Sequence, residues 1–528
     1  MKLLYLKPNI IAEPLIWRWY AWSHLIPPAT AGCNLAERYL KIMQSYVQAP
    51  QVHAQAIKNP DLIGGPFIDL NGENVDEIKD LIQETKENCK VLLDLSHSIK
   101  DFSRFLQNEQ GDTLEQHYKK LPENLRGLVE LVYDLNNNAS IKLIEPLFYN
   151  KYYNTSFQSI ALSETFSDHR PFIMSTPNLK KDNQVVLNVP FNDKRLDLLF
   201  SMRMNPKYKK EIENVFKIND EEQELFWSFF TEEKPEYKND REYTADGVRI
   251  RYFGHACILL QTDDVSVLID PVISYKVSGN IPRFTLEDLP DVIDYVVLTH
   301  NHQDHVLFES LLQLRHKVKH VVCPPSNNGF LADPSLKLIL EKLGFSSIYI
   351  LNDFEKIYIA GGEIMGLPFL GEHSDLNIHS KIAHFITLKD RKFIFAADSN
   401  NLDPDLYINI FDYIGAIDVL FVGMECDGAP LSWLYGPLIT NQLKRSYDNA
   451  RTLSGSDFNK AWSIVKQSQC KQAYVYAMGQ EPWLNYIMAL QYTPDSIQMT
   501  ESDRFIIACH KSNIKSERLY GKKEWVVV

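Results

Sequence analysis

The chain has no CxxC pair and only seven cysteines, an odd number scattered from Cys33 to Cys509. That scatter excludes a thiolate zinc cage and a disulfide framework, and leaves buried thiols in a reducing compartment. Apolar runs long enough to span a bilayer are also missing. The opening MKLLYLKPNIIAEPLIWRWYAW is broken by Pro8, Glu13 and Arg18, which equally disqualifies it as a secretory signal. A cytoplasmic protein without membrane contact is expected. Positive charge is short, 55 Lys and Arg against 68 Asp and Glu for a net charge of -13, which argues against non-specific binding to nucleic acid or anionic lipid. Repeats and low-complexity tracts are absent as well. What is present is an ordinary globular composition, 45% hydrophobic and 23% charged, over 528 residues, a length that calls for two domains.

The charged stretch TEEKPEYKNDREYTAD, residues 231–246, carries Pro235 and almost no aliphatic side chains, and predicts a domain junction near residue 245. Residues 1–245 read as a mixed α+β domain. The segments 34–48 and 74–89 have helical spacing of apolar positions, while KVLLDLS (90–96) and QVVLNVP (184–190) read as strands. Residues 246–528 alternate short strands (VRIRYFG, CILLQT, SVLIDP, YVVLTH, HVVCPP, KFIFAAD, DVLFVGM) with helical stretches at 307–316 and 335–344, which implies α/β sheets covered by helices. Polar residues close several of these strands: His300, Asp398 and Glu425. The rim of an α/β sheet is where sites are built.

HNHQDH, residues 300–305, follows the strand YVVLT and packs three histidines and an aspartate into six positions. His300 and His302 are expected in a tight loop, with Asp304 and His305 starting the next helix, so that each pair faces one of two neighbouring metals. A single metal needs three or more protein ligands, so others must come from a distance. GEHSDLNIHS (371–380) offers Glu372, His373, Asp375 and His379; FAADSN offers Asp398. One carboxylate oxygen of Asp398 on each metal would make the site binuclear, with metals roughly 3.5–4 Å apart.

With these residues in place, HxHxDH and the opening GHACILLQTDDVSVLIDP (254–271) resemble the metallo-β-lactamase superfamily, which implies an αββα sandwich for the C-terminal domain. Two departures from its hydrolases stand out. Glu372 follows Gly371 where a histidine is usual, and the late strand region AYVYAMGQEPW (473–483) has no histidine to complete the second metal. Carboxylate-rich, open dinuclear sites suit iron and dioxygen better than zinc and water. HxHxDH followed by GEHxDL and AAD, behind a large N-terminal extension, is similar to the diiron β-hydroxylases of nonribosomal peptide synthesis, of the chloramphenicol-pathway type. The resemblance implies two iron ions held by His300, His302, Asp304, His305, Glu372 and Asp398. It also implies hydroxylation at the β-carbon of an amino acid tethered to a peptidyl carrier protein, with O2, a separate electron donor, and a homodimer whose N-terminal domain covers the substrate. The alternative is a dinuclear zinc or manganese hydrolase, a lactonase or phosphodiesterase.

In ECDGAPLSWLYGP (425–437), Glu425, Asp427, Trp433 and Tyr435 are candidates for contacting substrate. His255 reads as a buried histidine bonded to backbone, and His373 as a partner of a ligand. Asp168, His169 and Arg170 read as a solvated turn, and the aromatics of WRWYAW as core or a dimer contact.

Overall fold

The computed structural model describes residues 2–528 apart from 61, 110, 236–239 and 442. Part of the expected junction therefore lies outside the described residues. On its N-terminal side Phe230–Thr231 pairs with Leu3–Leu6. On its C-terminal side Val248–Gly254 opens a seven-stranded sheet.

That first sheet runs, edge to edge, Ile348–Ile350, Val318–Cys323, Ile293–Val297, Ser266–Ile269, Cys257–Gln261, Val248–Gly254 and Lys523–Val527. The second runs Lys356–Ile359, Gly362–Leu367, Ala383–Leu388, Arg391–Phe395, Val419–Gly423, Gln472–Tyr476 and Lys515–Arg518. In the first sheet the pairs from Ser266–Ile269 through to Lys523–Val527 are antiparallel and the rest parallel; in the second the pairs from Lys356–Ile359 through to Arg391–Phe395 are antiparallel and the rest parallel. Their inner faces meet through residues such as Ile250, Val267, Val297, Ile386, Phe393 and Phe421, all fully buried. Burial on both faces explains why these strands read as nearly unbroken β-branched and aromatic runs. Helices Pro404–Ile414, Phe458–Ser468 and Ile497–Lys511 cover the outer face of the second sheet. The result is the expected αββα sandwich.

The outer face of the first sheet is covered differently. Phe253, Leu259, Leu268, Val296 and Val321 share one apolar cluster with helices Phe308–Leu314 and Leu336–Lys342 and with much of residues 6–230. That N-terminal part has a four-stranded sheet in the order Trp19–Tyr20, Ile10–Ile16, Gln158–Glu164, Gln184–Leu187, flanked by helices including Leu40–Gln48 and Val75–Asn88. Trp19, Tyr20 and Trp22 are core.

Two local expectations fail away from the ligand loops. KVLLDLS is no strand but the first turns of helix Lys90–Leu106. Its buried residues Leu92, Leu95, Ile99, Phe102 and Leu106 recur every three or four positions, a period that shows only when the window extends past residue 96. In the Asp168–Arg170 turn only His169 is exposed, and its two neighbours are held in ion pairs. Arg170 pairs with Glu13 and Glu309 at 3.0 Å each and lies 3.5 Å from the ring centre of Tyr486, while Arg283 holds Asp168 through both carboxylate oxygens. The acids that dehydrate Arg170 stand 157 and 139 residues away in the chain, beyond any local pattern.

Candidate metal centre

The parallel strands of both sheets end at one rim, and the chain turns there into the loops that carry the ligand-type residues. Asp304 and His305 do not start a helix. Residues 300–306 form a compact turn in which the backbone N–H groups of His305 and Val306 both donate to the His302 carbonyl (3.1 and 2.8 Å), and the helix begins at Phe308. Asp270, closing the strand Ser266–Ile269, anchors this turn. It accepts from the Thr299 backbone N–H (2.8 Å) and hydroxyl (2.6 Å), and its Oδ2 lies 2.8 Å from His305 Nδ1. The carboxylate places the His305 proton on Nδ1 and aims Nε2 at Asp398 Oδ2, 3.0 Å away. Asp270 was missed in the sequence, though SVLIDP carries the same signal as FIFAAD, an apolar strand ending in aspartate.

The remote segments reach the same point. Glu372 Oε1 lies 2.9 Å from His302 Nδ1, and Asp398 Oδ2 lies 3.7 Å from His300 Nε2. Among the described residues three groups have ligand atoms within 4.8 Å of one another: His300, His302 and Glu372; His300, His305 and Asp398; His255, Asp304 and His305. All are buried. His373 Nδ1 touches Glu372 Oε2 at 2.7 Å, whereas Asp375 and His379 are exposed. Glu372 (φ 65), Asp270 (φ 39) and Ala397 (φ 47), which precedes Asp398, all occupy left-handed backbone. Strain of this kind persists where surrounding structure fixes a functional geometry.

Electrostatics argue for cations at this point. Burial and the neighbouring His305 and His302 rings push His300 well below its ordinary pKa. Burial would depress His305 too, but Asp398, Asp304 and Asp270 outweigh it and raise that ring well above the usual range. Glu372, despite burial, is held down to about 2 by His302 and His373. His300 Nε2 and Asp398 Oδ1 are buried without a hydrogen-bond partner. Buried carboxylates and bare imidazole nitrogens converging in this way are costly alone and are offset by bound cations. Three carboxylates with three imidazoles form a donor set that fits two irons.

A cavity of about 590 Å3 opens over His302, Asp304, Glu372 and Asp398. Glu425, Asp427 and Trp433 line it. Burial and the nearby Asp398, Asp304 and Glu372 raise Glu425 well above the usual carboxylate range. Tyr435 instead sits beneath the site, with its hydroxyl 3.4 Å from His302 Nε2. The opposite wall comes from the N-terminal half: Trp22, Arg38, Ile63, Phe172 and Met174. No sequence signal marked these residues.

Residues 5–235 match the family described as the diiron non-heme beta-hydroxylase N-terminal domain, and residues 266–429 match the beta-lactamase superfamily domain. Over 526 residues the chain is 37% identical to the 4-amino-L-phenylalanyl-[CmlP-peptidyl-carrier-protein] 3-hydroxylase of Streptomyces venezuelae, covering 98% of both chains. The chain belongs to the diiron non-haem β-hydroxylases. The crystal structure of CmlA, a diiron beta-hydroxylase from Streptomyces venezuelae, superimposes with a TM-score of 0.92 at 36% identity, covering 100% of each chain. The hydroxylase is thus a metallo-β-lactamase-fold oxygenase with two irons as cofactors. A UPF0173 metal-dependent hydrolase of Exiguobacterium sp. is 31% identical over 99 residues that are 19% of this chain and 38% of that protein. Beside the end-to-end match to a hydroxylase, the hydrolase alternative is not favoured. Among the described residues no helix is long and apolar enough to cross a membrane.

Proposed function

We propose that this hydroxylase acts on the β-carbon of an amino acid carried as a thioester on a peptidyl carrier protein, consuming O2 and two electrons from a separate donor. The end-to-end relation to a 3-hydroxylase whose name specifies an aminoacyl carrier protein supports the reading. His300, His302 and Glu372 would hold one iron, Asp304 and His305 the other, with Asp398 reaching both. When bound, the irons supply the oxidising power that replaces a C–H bond by C–OH.

The protein side chains do the rest. Asp270 fixes the His305 ring, and Glu372 and Asp398 are the metal-holding carboxylates that face the cavity the substrate would enter. Glu425 and Asp427 present carboxyl oxygens that accept from the α-ammonium group of the substrate, and Arg38 directs its Nη2 to the Trp433 and Leu434 carbonyls (2.5 and 2.9 Å). Trp433 with Ile63 and Phe172 packs the amino-acid side chain and excludes water. Tyr435 contributes through His302. In this reading residues 1–245 form a covering and dimerising domain, residues 246–528 the catalytic one, and the enzyme works in the cytoplasm.

The test is a panel of aminoacyl carrier proteins incubated with iron-loaded enzyme, a reductant and 18O2. One 18O atom in the amino acid, at the carbon next to Cα, is the expected result. Hydroxylation of free amino acids alone, with carrier-bound ones untouched, would sink the proposal.

A further inference from the structure

His255 stands close enough to Asp304 and His305 to be read as a seventh ligand. It follows Gly254 at the end of the strand Val248–Gly254, is fully buried, and has left-handed backbone (φ 51). Its carbonyl accepts from the Ala477 N–H at 3.0 Å, tying it to the segment just after Gln472–Tyr476.

The decisive contact is on the other side of the ring. The backbone N–H of Gly479 donates to His255 Nδ1 at 3.1 Å. A nitrogen that accepts an N–H bears no proton, and a flipped ring would oppose that N–H with carbon. The neutral ring therefore carries its single proton on Nε2. Metal ligation through Nε2 would move the proton to Nδ1, directly against the Gly479 N–H, setting donor against donor inside a dry core. Nε2 lies 3.3 Å from Asp304 Oδ2, an ion-pair contact that falls short of hydrogen-bond geometry, and no other acceptor is bonded to it.

We propose that His255 is a positioning residue and no ligand: its Nε2–H orients the Asp304 carboxylate toward the second iron. The inference rests on the dinuclear reading of the site, but its test is independent of the substrate. The late histidine that hydrolases use is then not replaced from the N-terminal side of the domain.

The experiment pairs two variants with a spectrum of the unmodified protein. Glutamine offers an acceptor to Gly479 and a donor to Asp304; leucine offers neither. H255Q is expected to keep two irons per chain, whereas H255L binds the second metal about 10- to 100-fold more weakly, as when the outer partner of a metal ligand is removed. In zinc-loaded wild-type protein, 15N NMR is expected to show a proton on His255 Nε2 and an unprotonated, metal-free Nδ1. Loss of one iron in H255Q, or a zinc-shifted Nε2 lacking its proton, would overturn the proposal in favour of ligation. Unchanged second-metal affinity in H255L would overturn it in favour of simple packing. Failure of every carrier-bound substrate, with these metal readouts as expected, would count against the functional reading alone.

Discussion

The floor and the roof of the active-site cavity are built on opposite terms. The floor is made of buried charge: Asp304, Glu372 and Asp398 face three imidazoles, and His300 and Asp398 keep atoms without protein partners. The roof is mostly apolar, and its guanidinium, Arg38, turns one nitrogen, Nη2, to backbone carbonyls. A floor of this kind is costly without bound cations; a roof of this kind needs none and leaves its shape free to choose the substrate. Chemistry and selectivity are therefore separable by mutation.

Removing a charge from the floor has the largest expected effect. Asp398→Ala should lose iron and bring hydroxylation to background, with the far-ultraviolet circular dichroism unchanged; metal analysis beside product mass spectrometry checks it, and retention of two irons would erase the contrast. The seam between floor and roof comes next. Arg170→Ala leaves Glu13 and Glu309 as uncompensated buried charges and should cost about 3–5 kcal/mol in denaturant unfolding, before any effect on kcat is considered. A roof substitution is milder: Ile63→Trp should lower kcat/KM roughly tenfold or more for a large side chain while iron content stays at two. If iron were lost as well, floor and roof would not be separable.

The smallest effect concerns pH. His24 is packed against Trp22 (ring centres 4.8 Å) and is held down to about 3 by burial, with His302, Arg38 and His373 adding repulsion. A folded value below the unfolded one of about 6.5 means the neutral ring contributes stability above that pH, which is lost as pH falls from there toward 3. His24→Phe should flatten the fall in Tm between pH 7 and pH 4; an unchanged slope would assign the acid sensitivity elsewhere.

The floor was far more legible than the roof because its residues announce themselves by chemical type. HNHQDH after YVVLT, glutamate after Gly371 and aspartate after FIFAA are readable one strand end at a time, and the fold brings them within 4.8 Å in groups of three. The strands quoted from VRIRYFG to DVLFVGM were legible as short apolar runs closed by turns, whereas others of the two sheets, such as Gly362–Leu367, Ala383–Leu388 and Lys515–Arg518, were not. Ile63, Phe172 and Met174 are ordinary apolar residues whose role depends on where two distant segments meet, and no period or spacing encodes that. KVLLDLS failed for a related reason: seven residues are too few to distinguish strand alternation from a helix that reveals its face over seventeen. Tyr435 was legible as an aromatic beside the site, but its contact with His302 belongs to the tertiary structure.

The single apolar cluster that runs from Leu6 through the helix at 308–314 to Val321 carries a lesson for anyone recombining such enzymes. The charged stretch at 231–246 invites a crossover point, yet a cut there would part an interior, exposing Phe253, Leu259 and Leu268 to water on one piece and their packing partners on the other. Chimeras should instead exchange the cavity-facing patches of the roof within an intact chain, because here the lid and the vessel were cast together.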